Sequence, residues 1–276
     1  MENTEQQAGT RLFEDDNKPA LQAIRDAQYI AFAPYIFQAS VLLRDKGILK
    51  YIENSGDAGR SINEVAVAVN LPYYGVRVLM EAGLGIGLLF QRNEKYLLSK
   101  TRHVFINHQI SVINTDFMRD LCLPGVNDLE ASIMDGKPRG LKHFGNWDTI
   151  YQGLSVLPEP AKTSWFAFDH YYSDHAFPEI LPLVFERNPK KIMDIGANTG
   201  NWARVCFEYN ETVEVGLVDL QIQLNVGKKN IEDAGFGSRA AYHPQNVLDA
   251  SSGFPKGYDV IFMSQFLDCL DRKSVV

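Results

Sequence analysis

The sequence predicts an α/β protein in which a mostly helical N-terminal part precedes an open, parallel sheet. Three observations carry this. From Lys190 onward, four short strand candidates, KKIMDIG, VEVGLVDL, AAYHPQN and YDVIFMS, are separated by helical stretches or turns. Such alternation builds a parallel sheet that holds its ligand beyond the carboxyl ends of the strands. Upstream of residue 107, apolar residues recur at helical spacing, and only LLFQRNEKYLL reads as paired strands. Finally, the turn from Gly196 to Gly200 follows the first of the four runs and opens a helix-like stretch.

Taken in order, Pro19 to Ile52 has helical spacing, with Pro34 expected to end one helix and start another. Gly47 marks a further break. Ser61 stands three residues before Glu64, the spacing of a capping box that starts a short helix. Leu71 to Glu81 reads as the next helix, closed by Gly83, and a hairpin turns at Arg92 to Glu94. Helix, helix, hairpin is the order of a winged helix. Residues 1–106 are therefore assigned to a winged-helix domain, 107–186 to a helical connector and 187–276 to the sheet domain. Within the connector, Ser164 to Phe177, SWFAFDHYYSDHAF, is dense in aromatic residues. They serve either core packing or the wall of a pocket for a flat substrate.

Composition narrows the function classes. The chain has 276 residues, 45% hydrophobic and 22% charged, with a formal charge of -7. It has the makeup of a globular protein rather than a disordered one. The negative charge excludes a broad nucleic-acid surface, and the presumptive recognition helix offers only Arg77, offset by Glu81. The winged helix is read as a packing or dimerisation module. Cys122, Cys206 and Cys269 have no paired spacing, and the six histidines form no metal-like group, so neither a disulfide framework nor a metal site is expected. With no apolar run near the ~18–20 residues that span a bilayer, the expectation is a cytoplasmic protein.

The chemistry sits in the glycine turn. Its sequence, Gly196-Ala197-Asn198-Thr199-Gly200, carries Asn198 where a dinucleotide fingerprint has its second glycine. Asp194 places a carboxylate at the strand tip, where a diphosphate would be repelled and a positively charged ligand favoured. Asp219 ends the next strand, suited to accept hydrogen bonds from ribose hydroxyls.

D-x-G-x-x-x-G at Asp194 to Gly200, Asp219 after GLV, and the preceding winged helix together resemble the S-adenosylmethionine-dependent O-methyltransferases with an N-terminal dimerisation domain, which include the caffeate and polyketide enzymes. The resemblance implies a class I methyltransferase Rossmann-like sheet and a homodimer formed through the N-terminal domain. It implies S-adenosylmethionine as cofactor, and a small, aromatic hydroxyl compound as acceptor. By the same resemblance Asp194, Gly196 and Gly200 cradle the methionine part, Asp219 binds the ribose, and Leu220 lies beside the adenine. Asn246 and Val247 stand at the positions around the adenine ring, and Tyr172, in YSDHA, at the methionine end.

Two departures from the family follow. Where the family has a lysine and a catalytic histidine after the fourth strand, this sequence has Ser264 and Asp268. Asp268 is a base whose pKa is raised by burial, or the acceptor needs little base, or Asp268 caps a helix. Gln265 and Phe266 are candidates for acceptor contacts. So is His170, whose alternative is a histidine satisfied by a backbone partner. The ending, DCLDRKSVV, starts a helix at Asp271 and stops, so a truncated sheet of about four strands is expected. Two other readings remain at this stage: a non-enzymatic winged-helix sensor or impaired cofactor binder, and an NAD-dependent oxidoreductase.

Overall fold

The structure, a computed structural model, describes residues 16–249 and 253–270, with the side chain of residue 268 also outside what is described. The chain divides into two compact units, one up to Ser111 and one from Val112. In the first, α1 (Ala20–Asp45) is continuous through Pro34, against the expected break. Proline removes one N–H donor from a helix ladder, and in a helix of 26 residues the turns on either side persist. Only Ser40, Val41 and Leu43 of α1 are buried, while Leu21, Ile24, Ile30, Phe32 and Tyr35 stand exposed.

Gly47, at φ 75°, redirects the chain into α2 (Ile48–Glu53). The expected capping box opens α3 (Ile62–Ala68): the Glu64 amide donates to Ser61 Oγ at 3.3 Å, and the Ser61 amide to Glu64 Oε2 at 2.8 Å. Two of the helix's unpaired N-terminal donors are met this way. α4 (Tyr73–Ile86) runs past Gly83 and ends at Gly87, which takes the left-handed conformation at φ 85°. Gly83 instead makes room for packing, since a Cβ there would lie 2.9 Å from Leu89. β1 (Leu89–Arg92) and β2 (Lys95–Leu98) pair antiparallel. Asn93 and Glu94 both have positive φ, which suits the right-handed twist of a two-residue hairpin. Leu43, Ile48, Ile52, Val65, Val76 and Met80 form the centre of this unit.

α5 (Lys100–Asn107) is followed by α6 (Gln109–Phe117), which contains the boundary and continues as a π-helix at Met118–Cys122. The second unit then carries α7 (Leu129–Asp135), α8 (Ala161–Asp174) and α9 (Phe177–Val184). Strands and helices next alternate as expected: β3 (Lys191–Ile195), α10 (Asn201–Tyr209), β4 (Glu214–Asp219), α11 (Gln221–Asp233), β5 (Ala240–Pro244) and β6 (Val260–Phe262). All four strands are parallel, in the order β5-β4-β3-β6.

Both faces of β3 and β4 are buried, which is why they read as nearly continuous apolar runs. On one face Ile192, Val215 and Leu217 pack against Phe177, Trp202, Phe207 and Ile231. On the other, Met193, Ile195 and Val218 meet Val247, Tyr258 and Phe266. Leu217 has no exposed surface, and truncating such a residue to alanine costs ~2–5 kcal/mol. The chain leaves β3 toward β4 on one side, and β6 returns on the other. That reversal opens a crevice at the carboxyl end of β3. Among the described residues no helix is long and apolar enough to cross a membrane.

Candidate functional site

The glycine turn fills that crevice. Gly196 and Gly200 have φ of 78° and 79°, and Asn198, between them, has 48°. Such angles suit glycine and, with less strain than for most other residues, asparagine. The Gly196 amide donates to Val218 O at 2.9 Å, so β4 braces the turn. Asp219 extends the brace: Oδ2 accepts from the Asn198 amide at 2.8 Å and Oδ1 from the Leu220 amide at 2.7 Å. A Cβ on Gly196 would lie 2.4 Å from the Phe266 ring. That glycine is needed both for its angle and for its close approach.

From the other side, α8 reaches the turn through three side-chain pairs. Asn198 Nδ2 donates to Asp169 Oδ2 at 2.7 Å, His170 Nε2 lies 3.0 Å from Thr199 Oγ1, and Asn201 Nδ2 donates to Asp174 Oδ2 at 2.9 Å. These rungs fix the turn against the helix. The aromatic segment proves to be divided. Trp165, Asp169, His170, Ser173 and Phe177 face a cavity, whereas Phe168 stacks on Phe117 with centroids 4.1 Å apart.

The cavity, of about 290 Å³, lies at the carboxyl ends of β3, β4 and β6. Of the residues singled out from the sequence, His170, Asp194, Gly196, Asp219, Leu220, Asn246, Val247, Ser264, Gln265 and Phe266 line it. Gly200 does not: it starts α10 and packs toward Ile231, to which a Cβ would come within 3.2 Å. Tyr172 does not either. It projects from a different side of α8 than Asp169 and Ser173, and its hydroxyl pairs with Asn114 at 3.1 Å. Asp268 lies in a short 3-10 turn, Leu267–Cys269, and its side chain falls outside the described residues. Asp271 falls outside them too. Asp169, Ser173, Asn198, Trp165, Trp202 and Gln223 are further lining residues not picked out from sequence. The four-residue step from Trp165 to Asp169 to Ser173, one helix face, was the available signal.

The electrostatics of the lining are one-sided. Asp169, Asp194 and Asp219 line the cavity, and no lysine or arginine does among the described residues. Asp194 is 3% exposed, and its Oδ2 has no hydrogen-bond partner among the described residues. Burial, with the charge of Asp219, pushes its carboxyl up to about 8. Burial also raises Asp219, against the two amides it accepts, and Asp169 adds to the rise. Gln223 Oε1 and the indole nitrogens of Trp165 and Trp202 are likewise buried without partners. Buried polar atoms in a folded protein are nearly always paired, so a cluster of them around one cavity marks space shaped for a polar ligand. Among the described residues no group of side chains is arranged to hold a metal ion.

Comparison with known proteins agrees with this architecture. Residues 24–96 match the profile of the Dimerisation2-like domain. The S-adenosylmethionine-dependent methyltransferase SibL superposes with a TM-score of 0.65 at 19% identity, over 90% of this chain and 72% of its own. Mitomycin 7-O-methyltransferase MmcR gives 0.66 at 14%, over 92% and 74%. PigF, solved with SAH, gives 0.61 at 17%, over 88% and 72%. The chain has the class I methyltransferase fold. At these identities the likeness is one of fold. Among proteins of curated function none is significantly similar in sequence.

Proposed function

We propose that the chain binds S-adenosylmethionine in this cavity and transfers its methyl group to a small, aromatic hydroxyl compound, as a homodimer formed through the N-terminal unit. The observation that carries the reading is the buried carboxylate of Asp194 at the tip of β3, with an oxygen left unpartnered beside a glycine turn. A wall of carboxyl groups whose ionised form lacks a partner disfavours a diphosphate and suits a ligand bearing positive charge. Asn198 stands where a dinucleotide needs its second glycine, which counts against the NAD reading. The names of the similar structures support methyl transfer, and the SAH held by PigF supports the cofactor.

When bound, the cofactor supplies a sulfonium methyl for an in-line displacement. The work left to the protein is to hold and orient. Asp219 is placed to accept from ribose hydroxyls with the lone pairs its two amide bonds leave over. Leu220 and Val247 offer apolar surface to the adenine, and the Asn246 amide suits its exocyclic amine. Asp194 and the backbone at Gly196 serve the methionine part. Trp165, Phe177 and Phe266 give flat surfaces for an aromatic acceptor, and alignment in a dry site accounts for much of the rate in such transfers. His170, Gln265 and Ser264 are the polar groups that orient the acceptor, and Asp268 is the candidate base by its sequence position. The Dimerisation2-like match and the exposed apolar residues of α1 support the homodimer.

Calorimetry with S-adenosylhomocysteine and NADH side by side tests the cofactor: binding of the first alone is expected, and binding of NADH alone sinks the reading. Asp268→Asn tests the base. Unchanged turnover removes that residue from the mechanism.

A further inference from the structure

Two buried atoms near the tip of β3 carry the cofactor reading, on which this inference rests, one step further. Trp202 Nε1 and Asp194 Oδ2 both lack a hydrogen-bond partner among the described residues, and both side chains line the cavity while only 3% exposed. The two belong to one place. Ile192 and Asp194, two residues apart on β3, share a face of the sheet, and Ile192 packs in the cluster that contains Trp202. Asp194 stands level with Phe262 of β6. The Trp202 ring stacks on that phenyl ring, with centroids 3.9 Å apart and planes 14° from parallel, and Phe177 of α9 packs on the indole at 5.0 Å. Held by both rings, the indole of Trp202, in the first turn of α10, has a fixed position beside the tip of β3.

The chemistry of the pair is complementary. An indole N–H only donates, and a carboxylate only accepts. Neither is bonded to the other, so a ligand that satisfies both brings an acceptor to Trp202 and a donor to Asp194. An α-amino acid end carries these together, as a carboxylate and an ammonium on one carbon. Among the described residues no lysine or arginine lines the cavity, so a carboxylate that enters it depends on neutral donors. We infer that Trp202 donates its indole N–H to the carboxylate of the ligand's methionine end while Asp194 accepts from the ammonium. Gripped at both polar groups, the methionine chain has its sulfur fixed in place, which is what an in-line transfer requires. A nucleoside without that end keeps only the contacts to ribose and adenine.

The test is calorimetric titration of the full 276-residue chain, repeated on Trp202→Phe, with three compounds: S-adenosylhomocysteine, its decarboxylated amine, and methylthioadenosine, which lacks both polar groups. Phenylalanine keeps a ring against Phe262 and deletes the donor. A hydrogen bond to a charged group sets the scale: the variant should bind S-adenosylhomocysteine about tenfold or more weakly, with the amine and methylthioadenosine unchanged. Equal weakening of all three makes the ring a packing element only and overturns the proposal, as does an unchanged affinity for S-adenosylhomocysteine. Equal weakening of S-adenosylhomocysteine and the amine, with methylthioadenosine spared, shows that the carboxylate is not the partner of Trp202 and also overturns it. A native chain that holds methylthioadenosine as tightly as S-adenosylhomocysteine overturns it without any variant needing to fold. If none of the three binds the native chain, the cofactor reading itself falls and takes the proposal with it.

Discussion

The tips of β3 and β4 each end in an aspartate, and the two are put to opposite uses. Asp219 spends its oxygens on backbone amides, at 2.8 Å to Asn198 and 2.7 Å to Leu220, which offset part of the cost of its burial, and its loss would loosen the turn. Asp194, one strand over, is more deeply buried and keeps an oxygen without a partner. Neighbouring positions of the same residue type thus divide into a staple and a vacancy for charge. A carboxylate that the fold does not satisfy points to what comes from outside, and one that the fold does satisfy holds the geometry in which that ligand is met.

The largest expected effect comes from breaking the staple. Asp219→Ala removes the acceptor of two amides in a half-buried turn, and hydrogen bonds to a charged group contribute ~1.5–3 kcal/mol each. The second unit should lose ~3 kcal/mol or more of stability in denaturant titration. Stability equal to the native chain's would show that the turn keeps its shape without Asp219.

The vacancy predicts the opposite sign. An unfolded aspartate titrates near 3.9, whereas Asp194 is pushed up to about 8. Between these values the folded chain holds a proton that the unfolded chain has lost, so stability falls as pH rises from about 4 to about 8 and levels off above. The slope from one proton is at most ~1.4 kcal/mol per pH unit. Asp194→Asn should flatten this decline, leaving the ligand-free variant more stable than the native chain at pH 8 and little changed at pH 4. It should also abolish the affinity for S-adenosylmethionine. A ligand-free variant less stable than the native chain at pH 8 would place a partner on Asp194 Oδ2 and erase the contrast with Asp219.

How far the sequence showed this in advance follows from the range of each interaction. The strands β3 to β6 were legible because each is a short apolar run ended by a turn residue, and the Ser61 cap because its partner is three residues away. Pro34 and Gly83 misled because each was read from its local tendency, helix-breaking in one and helix-ending in the other. The length of α1 overrode the first, and contact with Leu89 explains the second. Asp194, Gly196 and Asp219, which line the cavity, could be singled out because the strand-turn-helix pattern points to them. Asp169, Thr199 and Asn201 were not, since their rungs join residues 27 to 29 positions apart, and no periodicity in one segment announces a partner in another. Tyr172 was placed by family likeness rather than by helix face, and it is not among the residues lining the cavity.

Gly196→Ala sharpens the comparison at the point where the two tips meet. The residue needs φ of 78° and leaves 2.4 Å between a new Cβ and Phe266. Strain in that backbone region and the displaced ring should together cost ~1–3 kcal/mol and weaken S-adenosylhomocysteine and S-adenosylmethionine alike. Loss of stability with affinity for both compounds intact would separate the shape of the turn from the binding of the ligand.

The smallest effect is expected at the rung between His170 and Thr199. Thr199→Ala deletes the hydroxyl 3.0 Å from His170 Nε2, while the bond from Asn230 to the Thr199 carbonyl is a backbone one and survives. A hydrogen bond of this kind contributes ~1 kcal/mol, and the neighbouring rungs at Asn198 and Asn201 continue to hold α8 to the turn. Thermal unfolding should therefore fall by a few degrees with affinity for S-adenosylhomocysteine unchanged. If that affinity falls instead, the rung between His170 and Thr199 also sets the position of the cavity wall that meets the ligand.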